Sequence, residues 1–144
     1  MSGYVESYRG QVLASECDLL SHMNIQFYIS RLSHATWNMC YFLGMTPEEI
    51  KEGKRALATV QQDSTYLSEL MAGDIVHMES GVLRSSNKTI TLRHRLFNSS
   101  TGNPTFNNVS TVAYMDLDLR KAVPLTDVMR EKITSLMVDE EEAK

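Results

Sequence analysis

The chain has 144 residues, 42% hydrophobic and 22% charged, which is the size and mix of one compact domain with its own core. A formal charge of -4 supplies no positive field for phosphate polymers or anionic lipid, so nucleic acid and membrane are not expected partners. No apolar run reaches the ~18–20 residues of a bilayer-crossing helix, and Cys17 and Cys40 are too few for a disulfide framework and too isolated for a zinc site.

The N-terminal stretch MSGYVESYRG lacks a basic run followed by an apolar core, and Ser2 stands where myristoylation needs glycine, so cytoplasm is the expected location. Residues 4–14 mix Val5, Tyr8, Val12 and Leu13 with polar residues and predict a first strand. From Asn24 the period changes: Ile25, Tyr28, Ile29, Leu32, Ala35, Thr36, Met39, Cys40 and Leu43 recur at three and four. That spacing lays an apolar stripe along a helix of about five turns, with Gly44 placed to end it. Thr46-Pro47-Glu48-Glu49 forms a capping box with proline at the first helical position, predicting a short second helix to Gly53.

Beyond it the period drops to two over Leu57–Asp63, Ile75–Arg84, Thr89–Phe97 and Phe106–Met115. The alternation is clearest where Ile90, Leu92, His94 and Leu96 oppose Thr89, Thr91, Arg93 and Arg95. Short turn-rich joins predict antiparallel neighbours and a four-strand meander. A last amphipathic helix is expected over Asp127–Met137 with Thr126 as its cap, and Asp139–Glu142 reads as part of an acidic tail, 139–144, after a single domain of 1–138. One strand, one long helix and four strands make an α+β plan, most simply a curved antiparallel sheet wrapped around that helix.

The polar residues that could carry chemistry crowd the strand-to-helix join, Glu16-Cys17-Asp18-Leu19-Leu20-Ser21-His22-Met23-Asn24. A helix start offers unpaired N–H groups and the positive end of the dipole, where a developing oxyanion can be held. Asp18 lies just upstream and could activate water or attack directly, while Asn24 could cap the helix or reach the pocket. Asp18 and Ser21 are also ordinary loop and capping residues. Cys17 has no adjacent cation to lower its thiol pKa; His34, His77 and His94 read as structural.

The run E-C-D-L-L-S-H-M-N-I-Q-F-Y-I resembles the D-x-D-x-x-G-H-x-N-N-x-x-Y signature of hotdog-fold acyl-CoA thioesterases of the 4-hydroxybenzoyl-CoA thioesterase type. In H-M-N-I-Q-F-Y it is closer to betainyl-CoA thioesterases of carnitine breakdown. Met71-Ala72-Gly73-Asp74 and Arg120-Lys121-Ala122-Val123-Pro124 extend the likeness over most of the chain.

The resemblance implies hydrolysis of an acyl-CoA to carboxylate and free CoA, with Asp18 as general base or nucleophile and the backbone amides of Asn24 and Ile25 polarising the carbonyl. His22 and Asn24 match the H-x-N positions beside the pocket. Glu16, Ser21 and Ile25 replace the family's Asp, Gly and second Asn. Glycine takes φ > 0 without strain and serine does not, so the loop path is where a departure is expected. No Asp or Glu lies between Asn24 and Thr46, so a helix-borne catalytic glutamate is not available. Asp63 is the reserve carboxylate, Ser64 and Tyr66 could touch the acyl group, and Arg84 and Lys88 are candidates for the CoA phosphates. CoA enters only as part of the substrate, and no metal or redox cofactor is implied. The resemblance further implies a homodimer with the site between two chains, and allows a tetramer of paired dimers. The alternative is a hotdog protein that binds an acyl-CoA or acyl carrier without turnover. Hydrolysis needs the Asp18 carboxylate turned away from bulk solvent, with a cleft between it and the helix-start amides.

Overall fold

In the computed structural model, which describes residues 3–139, five main strands are joined by hydrogen bonds into one antiparallel sheet curved around a long helix. In chain order these are β1 (Val5–Gln11), a 3-10 turn (Ala14–Glu16), α1 (Ile25–Phe42), α2 (Pro47–Lys51), β2 (Arg55–Tyr66), β3 (Ile75–Ser85), β4 (Thr89–Asn98), β5 (Pro104–Asp116), β6 (Lys121–Ala122) and α3 (Asp127–Leu136). This is the hotdog arrangement. Of the acidic tail, residues 140–144 lie outside the described residues.

The expected caps hold. Asn24, Thr46 and Thr126 each accept a hydrogen bond from an N–H in the first turn of their helices, and Gly44 ends α1 in the left-handed region at φ 85.

Strand order corrects the meander. It runs β1-β3-β4-β5-β2, with the two-residue β6 on β5. Only β3-β4-β5 is a meander; β2 pairs with β5 and β1 occupies the free side of β3. The cause is the β2–β3 link, which carries the chain past the helix start: the Leu67 N–H donates to Thr105 O at 2.9 Å and Leu70 O accepts from the Met23 N–H at 2.8 Å. β2 is therefore a twelve-residue edge. A bulge at Val60 falls between Thr59, opposite Val112, and Gln61, opposite Thr111. It brings Leu57 and Thr59 on one side, and Gln62, Ser64 and Tyr66 on the other, to the face that looks at α1.

The inner face carries two apolar clusters. One joins Met39, Cys40 and Leu43 of α1 to Val82, Ile90, Leu92 and Val112 and is closed by Met129, Ile133 and Leu136 of α3. The other joins Tyr28, Leu32 and Ala35 to Met78, Leu96 and Phe106. Between them a polar row crosses the sheet. Ser7 meets Ser80 (2.6 Å), Ser80 meets His94 Nδ1 (2.5 Å), His94 pairs in register with Asn108, and Asn108 Nδ2 donates to Ser64 (2.8 Å) and Gln62 (3.0 Å). His94 is wholly buried, and its Nε2 has no partner among the described residues.

Candidate active site

The strand-to-helix join folds into a small hairpin. Cys17 and Met23 form an isolated bridge, and the Ser21 N–H donates to Asp18 O at 2.9 Å. Met23, buried, is the anchor. Ser21, at the tip, sits at φ 67. Serine thus adopts the left-handed backbone that glycine adopts freely, at a strain of roughly 1–2 kcal/mol.

Asp18 is exposed. One of its oxygens accepts from Asn24 Nδ2 at 2.9 Å and the other from the Leu20 N–H at 2.9 Å. These bonds, the Asn24 amide foremost, hold its carboxyl below the usual value. Asn24 is the hinge of the arrangement, because its Oδ1 simultaneously accepts from the Gln26 N–H at 3.1 Å as the cap of α1.

The expected pair of backbone donors is reduced to one. The Asn24 N–H donates to Glu16 O at 2.8 Å, since an extended cap residue turns its own amide back toward the preceding turn. Asn24 Oδ1 takes the Gln26 amide and Asn24 O takes the Phe27 amide at 3.0 Å. Among the described residues the Ile25 N–H alone of these four is uncommitted. It stands at the positive end of an eighteen-residue helix.

Beside it lies a depression of about 350 Å³ whose walls include His22, Ile25, Tyr28, Tyr66 and Glu69. Tyr28 and Tyr66 meet edge to face at 5.0 Å, and both pack on Phe106. His22 Nε2 lies 3.0 Å from a Glu69 oxygen at the rim. Asp18 is not among the residues that line it.

The remaining candidates divide by strand face. Ser64 and Tyr66 look toward α1, Ser64 being engaged with Asn108. Asp63, opposite Val109, points to the outer face and lines a depression there with Arg93 and Asn107. Within one chain it does not join Asp18. Arg84 and Lys88 do not either. They sit at the β3–β4 turn beside Leu125 and Arg130, at the far end of an eleven-residue strand, roughly 30 Å from the helix start.

Two contributors escape the periodicity argument. Glu69 lies in the β2–β3 link, where nothing in the spacing marks it. Arg31 is buried on α1 and grips Glu16, Nη2 to Oε1 at 2.7 Å and Nη1 to Oε2 at 3.1 Å. Its guanidinium is the main reason the Glu16 carboxyl is held below the usual value. The available signal was position: Arg31 falls three after Tyr28 and four before Ala35, on the apolar stripe.

Residues 12–133 match the model of the thioesterase-like superfamily. No curated protein sequence matches the chain. Among solved structures, a Staphylococcus aureus protein in complex with CoA superposes with a TM-score of 0.81 at 20% identity, over 93% of this chain and 84% of that one. A 1,4-dihydroxy-2-naphthoyl-CoA thioesterase from Synechocystis gives 0.77 at 15% identity, over 92% and 97%. At such identities the structures share the fold, and with the sequence match spanning most of its length the chain belongs to the thioesterase-like superfamily.

Proposed function

We propose that the protein hydrolyses an acyl-CoA thioester, with Asp18 as the reacting carboxylate and the Ile25 N–H polarising the carbonyl. The single observation that carries this reading is the bonded path Asp18–Asn24–Gln26, which fixes a carboxylate next to a helix start whose Ile25 N–H is uncommitted. A carboxyl held below its usual value is ionised at neutral pH and a weak base. That favours attack by Asp18 itself: a carboxylate oxygen bonds the carbonyl carbon, the C–S bond breaks, and the CoA thiolate leaves and takes a proton from water. Water then cleaves the mixed anhydride to the carboxylic acid and restores Asp18.

In one chain Asp18 is open to solvent. The reading therefore includes a second copy joined along the β2 edge, whose twelve residues offer unpaired backbone groups next to Tyr66 and Leu67. For the acyl group we propose betainyl. Two tyrosine rings and the Glu69 carboxylate around the depression beside Ile25 suit a quaternary ammonium carried one carbon from the thioester.

The test is thiol release over a panel of betainyl-, aromatic and short aliphatic CoA thioesters. Asp18→Asn, folded and of unchanged oligomeric state, is expected to lose at least roughly a hundredfold in turnover; full activity in that variant defeats the reading. Label in Asp18 after a single turnover in ¹⁸O water would establish attack by the carboxylate, with water opening the anhydride at the Asp18 carbonyl. The competing reading, binding without turnover, draws on the absence of Asp18 from the depression's walls; acyl-CoA binding with no thiol released across the panel would establish it.

A further inference from the structure

Arg31 is 3% exposed and sits on the inner face of α1 among Tyr28, Leu32 and Ala35. Its two terminal nitrogens reach three different groups. Nη2 donates to Glu16 Oε1 (2.7 Å) and to Gln11 O (2.8 Å), and Nη1 to Glu16 Oε2 (3.1 Å) and to Phe27 O (3.1 Å). The end of β1, the 3-10 turn and the first turn of α1 are thereby tied to one rigid fork. Glu16 Oε1 also accepts from the Leu13 N–H at 2.8 Å, which closes the turn on itself.

As a device for stability alone this is a poor choice. Removing two charges from water offsets most of the attraction between them, and Arg31 Nε is left buried without a partner. What the fork does supply is geometry. From Glu16 the connection continues without a gap: its carbonyl accepts from the Asn24 N–H at 2.8 Å, and the Asn24 side-chain amide donates to Asp18 at 2.9 Å. Asp18 is exposed, as are Leu19 and Leu20, which lead from it to the loop tip. One carboxylate oxygen is held within the loop by the Leu20 N–H at 2.9 Å, and the other through Asn24, whose own position is set by the turn that Arg31 grips.

We propose that Arg31 is the positioning residue of the reaction, acting through Glu16 and Asn24 to aim the Asp18 carboxylate at a carbonyl held by Ile25. The inference rests on Asp18 being the reacting group. Lysine at this position keeps the charge but cannot form the two-pronged grip.

The test compares Arg31→Lys, Glu16→Gln and Asn24→Ala with the parent protein by thiol release and by ¹³C NMR titration of the Asp18 carboxyl. Arg31→Lys and Glu16→Gln should each lower kcat roughly ten- to a hundredfold with KM within about twofold. In each, the Asp18 titration should move upward, in the same direction as in Asn24→Ala. A merely structural arginine would not move that titration. If Arg31→Lys does not fold, Glu16→Gln decides by the same two readings. Unchanged kcat, or a lowered kcat with the Asp18 titration where it was, overturns the positioning role while leaving Asp18 catalysis intact. Full activity in Asp18→Asn instead removes the reading beneath it.

Discussion

The inner face of the sheet has two ends made by the same alternation of residues and finished differently. At one, Met39, Leu92 and Val112 are covered by Met129 and Ile133 of α3. At the other, Tyr28, Leu96 and Phe106 reach the surface through Tyr66 beside the start of α1, and charged groups gather there: Asp18, Glu69, and the Glu16–Arg31 pair beneath. The polar row through His94 separates them. A closed apolar end supplies stability by burial, and the open end can then keep exposed aromatic surface and a strained loop tip.

Substitutions should separate the two. Met39→Ala, fully buried at the closed end, is expected to lower unfolding free energy by about 2–5 kcal/mol in denaturant titration and leave thiol release by the folded protein unchanged. An effect on turnover as large as that on stability would show that the ends are not independent.

The row between them should make the fold acid-sensitive. Burial depresses the His94 pKa from 6.5 to about 3. Below 6.5 the unfolded chain binds a proton the folded one refuses, so stability falls as pH falls. Between pH 6.5 and 4.5 the loss is roughly 2 kcal/mol, the slope rising toward about 1.4 kcal/mol per unit as the unfolded histidine protonates. Glu16 adds to it only below about 4.5, because its folded value is lowered and its pair with Arg31 persists above that. His94→Gln, whatever its stability at pH 7, should give a flat line between pH 6.5 and 4.5; an unchanged slope would assign the sensitivity elsewhere.

At the open end, Tyr66→Ala should raise KM for betainyl-CoA by roughly three- to thirtyfold, the worth of one cation–π face, with little change for acetyl-CoA. Equal loss on both substrates would remove the preference for a cation. Ser21→Gly is the smallest change. Relief of the positive φ, less the extra freedom of glycine in the unfolded chain, should stabilise by about 0.5–1 kcal/mol in thermal unfolding.

The sequence carried most of the elements. The α1 stripe, the three capping residues and the alternation of β3, β4 and β5 are local patterns, and each produced the element it predicted. What local pattern does not hold is which strands become neighbours, and β2 was misplaced for that reason. β2 extends past Asp63 to Tyr66, where the polar run Gln62-Asp63-Ser64-Thr65 shows no apolar alternation, and β6 is too short to show any. At the site, Asp18, His22, Asn24 and Ile25 do come together around one helix start. The Arg31–Glu16 pair did not show, because fifteen residues separate its members and a lone arginine on a helix ordinarily points to water. Asp63 on the outer face of β2 and Arg84 and Lys88 at the β3–β4 turn lie apart from Asp18 within one chain, since residue type does not say which face or which end of a strand a residue occupies.

The bulge at Val60 lets one strand obey two frames. Were Val60 to pair in the ladder instead of bulging out, the pleat would run straight through and whichever half slipped would turn inside out: either Leu57 and Thr59 would face away from the helix, or Gln62, Ser64 and Tyr66 would. In the second case Asn108 would lose both acceptors and the depression would lose a wall. The bulge at this one position is thus what keeps both halves of the edge strand turned toward the helix.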